Sequence, residues 1–167
     1  MEESKQVPAE FPNYEIPTKI RIGHSKVHYR GVFATDDIKK GELIERCPMV
    51  LMAHRMNYHK DPTIWGYMYT HSCPCEECKR HGGHFLMVMG WGQIYNHQDE
   101  NNAHISFNLK NSTSDITALK DIKKDEEIFV NYGPNYFSNR KKVNVNETEP
   151  MNVANSDSCT TQVFKPL

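Results

Sequence analysis

The sequence predicts a mainly β protein, one domain built from several small sheets. Short runs alternate polar and apolar residues with the period of two that a half-buried strand shows, as in Lys19-Ile20-Arg21-Ile22-Gly23 and His104-Ile105-Ser106-Phe107-Asn108-Leu109. A strand-turn-strand unit occurs twice: Asp37-Ile38-Lys39-Lys40-Gly41-Glu42 recurs as Asp121-Ile122-Lys123-Lys124-Asp125-Glu126. The length, 167 residues, suits a single domain with a core of useful size.

Residues 1–17 are expected to be an unstructured lead-in, with three prolines, several acids and no periodicity. Strands are then expected at 19–23 and 29–34. In the repeated unit, a polar turn anchored by one isoleucine is flanked by Val32-Phe33-Ala34 and Leu43-Ile44-Glu45 in the first copy. Ile116-Thr117-Ala118-Leu119 and Glu127-Ile128-Phe129-Val130 flank the second. Between the copies, Val50 to Tyr69 reads as helical or mixed and broken at Pro62, inside an insertion of about residues 55–85. A strand is expected at 104–109. From Ser138 to Leu167 the chain is a polar tail opening with Arg140-Lys141-Lys142.

Composition narrows the function. Hydrophobic residues make up 38% and charged residues 25%, with a net charge of -1 and a pI near 6.7. That is no electrostatic footprint for duplex DNA, and direct nucleic-acid binding is not expected. The first residues lack a signal-peptide pattern, and no apolar run approaches a membrane span. Five cysteines, three of them clustered, favour thiols or a metal over a disulfide framework, so the cytosol or nucleus is the expected location.

Two stretches carry the chemistry. Gly90-Trp91-Gly92-Gln93-Ile94-Tyr95-Asn96-His97 runs on to Ala103 through amide, imidazole and carboxylate groups. Glycines there suit a chain held close against something. So many polar groups do not belong in a plain core, and the stretch reads as the floor of a site. The second is Cys73-Pro74-Cys75-Glu76-Glu77-Cys78-Lys79-Arg80-His81. Cys75 and Cys78 have chelating spacing, Cys73 adds a third thiolate, and His71, His81 and His84 are available for the fourth place of a tetrahedral structural zinc, with His81 taken as the ligand. Unligated cysteines in an exposed insertion are the alternative.

From about Lys19 to Phe137 the chain resembles the SET-domain family of protein lysine methyltransferases, especially its small stand-alone viral and bacterial members. The resemblance rests on Tyr29-Arg30-Gly31-Val32-Phe33-Ala34 with the following Ile-x-x-Gly-Glu turn, on Asn96-His97 with Asn102-Ala103, and on Asp125-Glu126-Glu127-Ile128 through Asn131-Tyr132-Gly133. Tyr29, Gln98, Asn101 and Asn131 depart from the family pattern. Val130 stands where many relatives carry an aromatic that tunes how many methyls are added, which leaves that number open.

The resemblance implies a SET-like catalytic domain over residues 18–137, with a pseudoknot-like threaded C-terminal segment. It also implies methyl transfer from S-adenosylmethionine to a lysine ε-amine on a protein, in a basic segment that Asp99, Glu100 and Asp115 would attract. Tyr132 is the implied catalytic residue. Arg30, Gly31, Gln93, Asn96, His97, Tyr67 and Phe137 are the implied cofactor-binding residues. Tyr69, Tyr95, Val130 and Tyr132 are the implied wall of the lysine channel. Tyr136 is a further candidate to close over the adenine. Core packing is the alternative for Tyr67 or Tyr69. Two other classes compete. His97, Asn102 and His104 beside a Cys-x-x-Cys are similar to His-Asn-His nucleases, though without a basic surplus or a second Cys-x-x-Cys. A non-catalytic SET-like peptide-binding module is the third reading, and an intact Tyr132 opposes it.

Overall fold

The computed structural model describes residues 12–52, 62–71, 84–133 and 136. It falls into two compact units, residues 1–131 and 132–167. In the first, strands β1 (Ile20–His24) and β2 (Arg30–Ala34) form an antiparallel hairpin, Ile20 opposite Ala34 and His24 opposite Arg30. The late strand β9 (Glu127–Val130) lies antiparallel to β2. The two-residue strand β6 (Asn96–His97) lies parallel to β9 on its other edge, giving the order β1-β2-β9-β6. A residue from the chain's middle thus comes to lie beside residues from its end.

The second sheet is organised by β3 (Leu43–Met52), which changes partner halfway along. Its first half pairs with β8 (Thr113–Ala118), ending at Pro48 opposite Thr113. Its second half, Met49 onward, pairs with β5 (His84–Val88). Proline has no N–H for a ladder on both sides, and the switch falls at Pro48. Strands β4 (Tyr69–His71) and β7 (Ala103–Asn108) complete the order β4-β5-β3-β8-β7.

The middle of the chain differs from expectation in three ways. Val50 to Met52, expected in a helical or mixed segment, continue β3. Pro62 starts helix α1 (Pro62–Tyr67) rather than breaking one. The first helical position needs no intrahelical N–H, so proline is tolerated there. The third difference is β5, which begins at the end of the expected insertion and for which no element was expected; its hydrophobic run reads equally as strand or buried helix by periodicity alone. No helix among the described residues is long and apolar enough to cross a membrane.

The two repeated turns clasp each other about a local two-fold. Ile38 and Ile122 exchange both backbone hydrogen bonds at 2.9 Å, and both side chains are buried. Lys39 Nζ meets Asp121 at 3.0 Å and Lys123 Nζ meets Asp37 at 2.9 Å. The other oxygens of those carboxylates accept from Lys40 N and Lys124 N. Within each turn, the glutamate caps the lysine N–H three residues back: Glu42 to Lys39, Glu126 to Lys123. Exposed ion pairs of this kind stabilise little singly. The buried isoleucine pair and the matched backbone hydrogen bonds of the two turns make the clasp specific.

In the second unit, the rings of Tyr132 and Tyr136 lie 4.4 Å apart at 54°, and Gly133 has φ of 89°. The threaded C-terminal segment implied by the resemblance lies partly outside the described residues.

Candidate functional site

Asn96 is the hinge of the site. Its side chain is 5% exposed, and its Nδ2 donates to Arg30 O at 2.9 Å and to Glu127 Oε1 at 2.8 Å. Both neighbours are acceptors, which fixes the amide orientation: nitrogen inward, oxygen away from them. No described residue donates to Asn96 Oδ1. The other carboxylate oxygen of Glu127 accepts from Ser25 Oγ at 3.0 Å. Ser25 is itself buried and accepts from Val27 N and His28 N, closing the turn between β1 and β2.

Gly31 is required by this arrangement. A Cβ there would collide with Glu127 Oε1 and stand 3.0 Å from Asn96 Nδ2. The space over Gly31 is thus filled by two side chains of the chain itself.

A second string of bonds joins Arg30 to the helix and the floor. Arg30 Nη2 donates to Tyr67 OH at 3.1 Å, and Gln93 Nε2 donates to Tyr67 O at 3.3 Å. Tyr67 ends α1, where backbone carbonyls lack helical partners, so Gln93 caps it. Arg30, Tyr67, Gln93 and Asn96 come from four separate stretches of sequence. They form one hydrogen-bonded group.

The floor from Gly90 onward packs on a buried carboxylate. Glu45 is 6% exposed; its Oε1 accepts from Trp91 N and its Oε2 from Tyr95 OH, both at 3.0 Å. Gly90 has φ of 70°, and a Cβ on it would stand 2.9 Å from Glu45 Oε1; one on Gly92 would collide with Val88 Cγ1. Tyr95 is fully buried, and burial first, then the Glu45 charge, push its phenol well above the usual range, so it remains a donor. Cys47 beneath Gly92 is a buried free thiol held protonated by the same two causes. Tyr69 donates to Gly92 O at 2.8 Å, its ring 5.5 Å from Phe107.

The SET domain family matches residues 29–133. The chain belongs to the SET domain family. The enzyme class expected from the motifs, protein-lysine methyltransferase, stands with it. Among solved structures, this SET domain is similar to a Plasmodium falciparum protein assigned as a histone methyltransferase: 32% identity over 71% of this chain and 96% of that one, TM-score 0.56. It shares its fold with a chain in a humanized mutant of the Chaetomium thermophilum Polycomb Repressive Complex 2, 23% identical over 74% of this chain, TM-score 0.55. Another structure of that complex gives 22% identity over 72%, TM-score 0.55. The SET domain spans about a sixth of each of those two chains, 16% in both. No curated protein matches it.

The remaining site residues of the SET domain are placed as follows. His97 lies opposite Val130 at the end of β9, and its Nε2 lies 3.2 Å from Asp99 Oδ1. Val130 is buried. Asp115, considered as an attractor of substrate, is engaged by both ends of the Arg46 guanidinium at 2.7 Å. Asn102, needed by the nuclease alternative, holds backbone instead: Oδ1 accepts from Phe129 N at 2.7 Å and Nδ2 donates to Glu127 O at 2.8 Å. Phe137, Cys73, Cys75, Cys78 and His81 lie outside the described residues. Among the described residues there is no cluster that would hold a metal. Three residues of the site carried no assigned role from sequence. Glu127 was legible through strand alternation, which turns it away from the buried Ile128 and Val130. Glu45 was legible as an acid inside a β-type run. Ser25 gave no signal.

Proposed function

We propose that this SET domain transfers a methyl group from S-adenosylmethionine to the ε-amine of a lysine on a protein, in a basic segment. One observation carries the reading: Arg30, Tyr67, Gln93 and Asn96, each expected to hold the cofactor, are joined by hydrogen bonds of 2.9–3.3 Å. The residues fit the cofactor, because the amide of Asn96 keeps an acceptor oxygen unengaged among the described residues beside Arg30, and an α-ammonium needs such an acceptor.

S-adenosylmethionine, when bound, supplies the methyl group and a positive sulfonium. The chain's part is to bind, to align and to keep the amine neutral. An unperturbed lysine has a pKa near 10.4, so only about one in 2,500 is neutral at pH 7. A narrow apolar channel disfavours the ammonium, and buried Val130 and the ring of Tyr69 are the residues assigned to it. Tyr132, two residues after Val130 in the chain, orients the amine through its hydroxyl. Alignment alone can contribute several kcal/mol. The Cys73, Cys75, Cys78 and His81 zinc is proposed as a loop staple with no part in transfer.

Incubation with labelled S-adenosylmethionine and a panel of basic proteins, followed by mass mapping of modified lysines, tests the reading. Tyr132→Phe is expected to lower turnover well beyond any loss of cofactor affinity. Absence of label with every substrate sinks the activity; an equally active Tyr132→Phe removes that residue from the mechanism.

A further inference from the structure

The Asn96 amide has two ends of opposite character, and its usefulness to a cationic ligand depends on which end faces outward. A carbonyl oxygen attracts an ammonium; an NH₂ repels it. The backbone does not decide this, since rotation by a half-turn leaves the side chain's shape unchanged. The neighbours decide it.

We propose that Glu127 is a positioning residue that locks the Asn96 amide with its oxygen toward the cofactor's α-ammonium, with Gly31 and Ser25 as the parts that hold Glu127 in place. The inference rests on the reading of Asn96 given above. Ser25 Oγ already accepts two backbone N–H groups, from Val27 at 3.0 Å and His28 at 3.3 Å, so its own proton goes to Glu127 Oε2 at 3.0 Å. The remaining oxygen, Oε1, faces Asn96 and accepts from Nδ2 at 2.8 Å. Arg30 O accepts the second Nδ2 proton at 2.9 Å. Turning the amide over would set Oδ1 against a carboxylate oxygen and a carbonyl oxygen at once, two repulsive contacts in place of two attractive ones. Glu127 thus acts without touching the ligand. The cradle over Gly31 admits the carboxylate only because no Cβ is there.

Glutamine at 127 keeps the volume and breaks the logic. Its amide has one acceptor, while Ser25 and Asn96 both present donors. One of the two must face an NH₂, and Asn96 can satisfy that contact only by turning its oxygen inward. Calorimetric affinities of the full chain are measured for two probes: S-adenosylmethionine and its analogue lacking the α-amino group. Glu127→Gln and Gly31→Ala are expected to weaken S-adenosylmethionine by roughly ten- to a hundredfold, the range for hydrogen bonds to charged groups. They are expected to leave the deaminated analogue within about twofold. In an Asn96→Ala background, Glu127→Gln adds nothing further. Ser25→Ala, which removes one anchor of the carboxylate, gives the same selective loss at about threefold and decides the matter if the Glu127 variant does not fold. Equal weakening of both probes by Glu127→Gln, or a full loss on top of Asn96→Ala, overturns the inference. A wild type that discriminates between the probes, with Glu127→Gln discriminating equally, overturns the inference alone. A wild type that does not bind S-adenosylmethionine overturns the functional reading and this inference with it.

Discussion

Replacing Tyr95 with phenylalanine separates a core role from a channel role. The hydroxyl lies 3.0 Å from Glu45 Oε2, the ring is fully buried, and the carboxylate is 6% exposed. Its other oxygen is engaged by Trp91 N. The substitution keeps the ring and removes one donor from a buried charge. A hydrogen bond to a charged group contributes about 1.5–3 kcal/mol, and a buried acceptor left unmade carries its desolvation cost as well. At roughly 2–4 °C per kcal/mol for a chain of this size, Tm should fall by about 3–12 °C. Urea unfolding should show a lower midpoint and an unchanged slope, because the same surface is exposed on unfolding. Methyl transfer at a temperature where both proteins are folded should be nearly preserved. A variant as stable as the wild type, or one that unfolds normally yet loses turnover, would refute the core assignment and return Tyr95 to the channel.

Three further outcomes follow from the same contacts. The carboxyl of Asp37 is held below its ordinary 3.8 by Lys123 and the Lys124 N–H, and that of Asp121 by the Lys40 N–H and Lys39. A depressed folded pKa contributes stability that is complete above 3.8 and lost as pH falls through the folded value. Urea midpoints of Asp37→Asn/Asp121→Asn should therefore lie below wild type at pH 7 and converge on it as pH drops beneath 3.8. Gly92→Ala forces a methyl into Val88 and within 3.1 Å of Cys47 Sγ, so thermal unfolding should register an overpacking cost of about 1–3 kcal/mol. Asn102→Ala removes both bonds to the β9 backbone and should destabilise by roughly 1–3 kcal/mol, with faster amide exchange at Phe129 as its local signature.

What the sequence disclosed was whatever has a local pattern. Alternation located β1 and β7, and the β-type runs flanking the duplicated turn located β2, the start of β3, β8 and β9 and showed that two distant units are alike. The glycine pair at 90 and 92 announced a close approach, and the structure supplies its object, Glu45 with Val88. What stayed hidden depends on partners far along the chain. A two-residue strand such as β6 has no periodicity to detect; it exists because β9 offers it an edge. Pro62 carries the same letter whether it starts a helix or ends one. Ser25 and Glu127 are separated by 102 residues, and neither residue type by itself says that the other is near. Motif resemblance found Asn96; only coordinates show what holds its amide.

The clasp of repeated turns ties these observations into one chain of cause. In β9, Ile128 and Val130 are buried while Glu127 faces the other side. A slip of one residue that set Ile128 opposite Phe33 would therefore bring an isoleucine to Gly31 and carry the carboxylate away from Asn96. The ladder between β2 and β9 is short, with Val32 opposite Ile128 and Phe33 opposite Glu127, too little to fix its own register. The turns fix it. Ala34 N donates to Glu126 O at 3.0 Å and Asp125 N to Ala34 O at 2.9 Å, and a few residues on Ile38 and Ile122 exchange their pair of bonds. From the opposite edge, Asn102 grips Glu127 O and Phe129 N. With the register held from both ends, Glu127 has one place to be. A duplicated loop that looks like plain scaffold is thereby what delivers a carboxylate to the amide at the centre of the site.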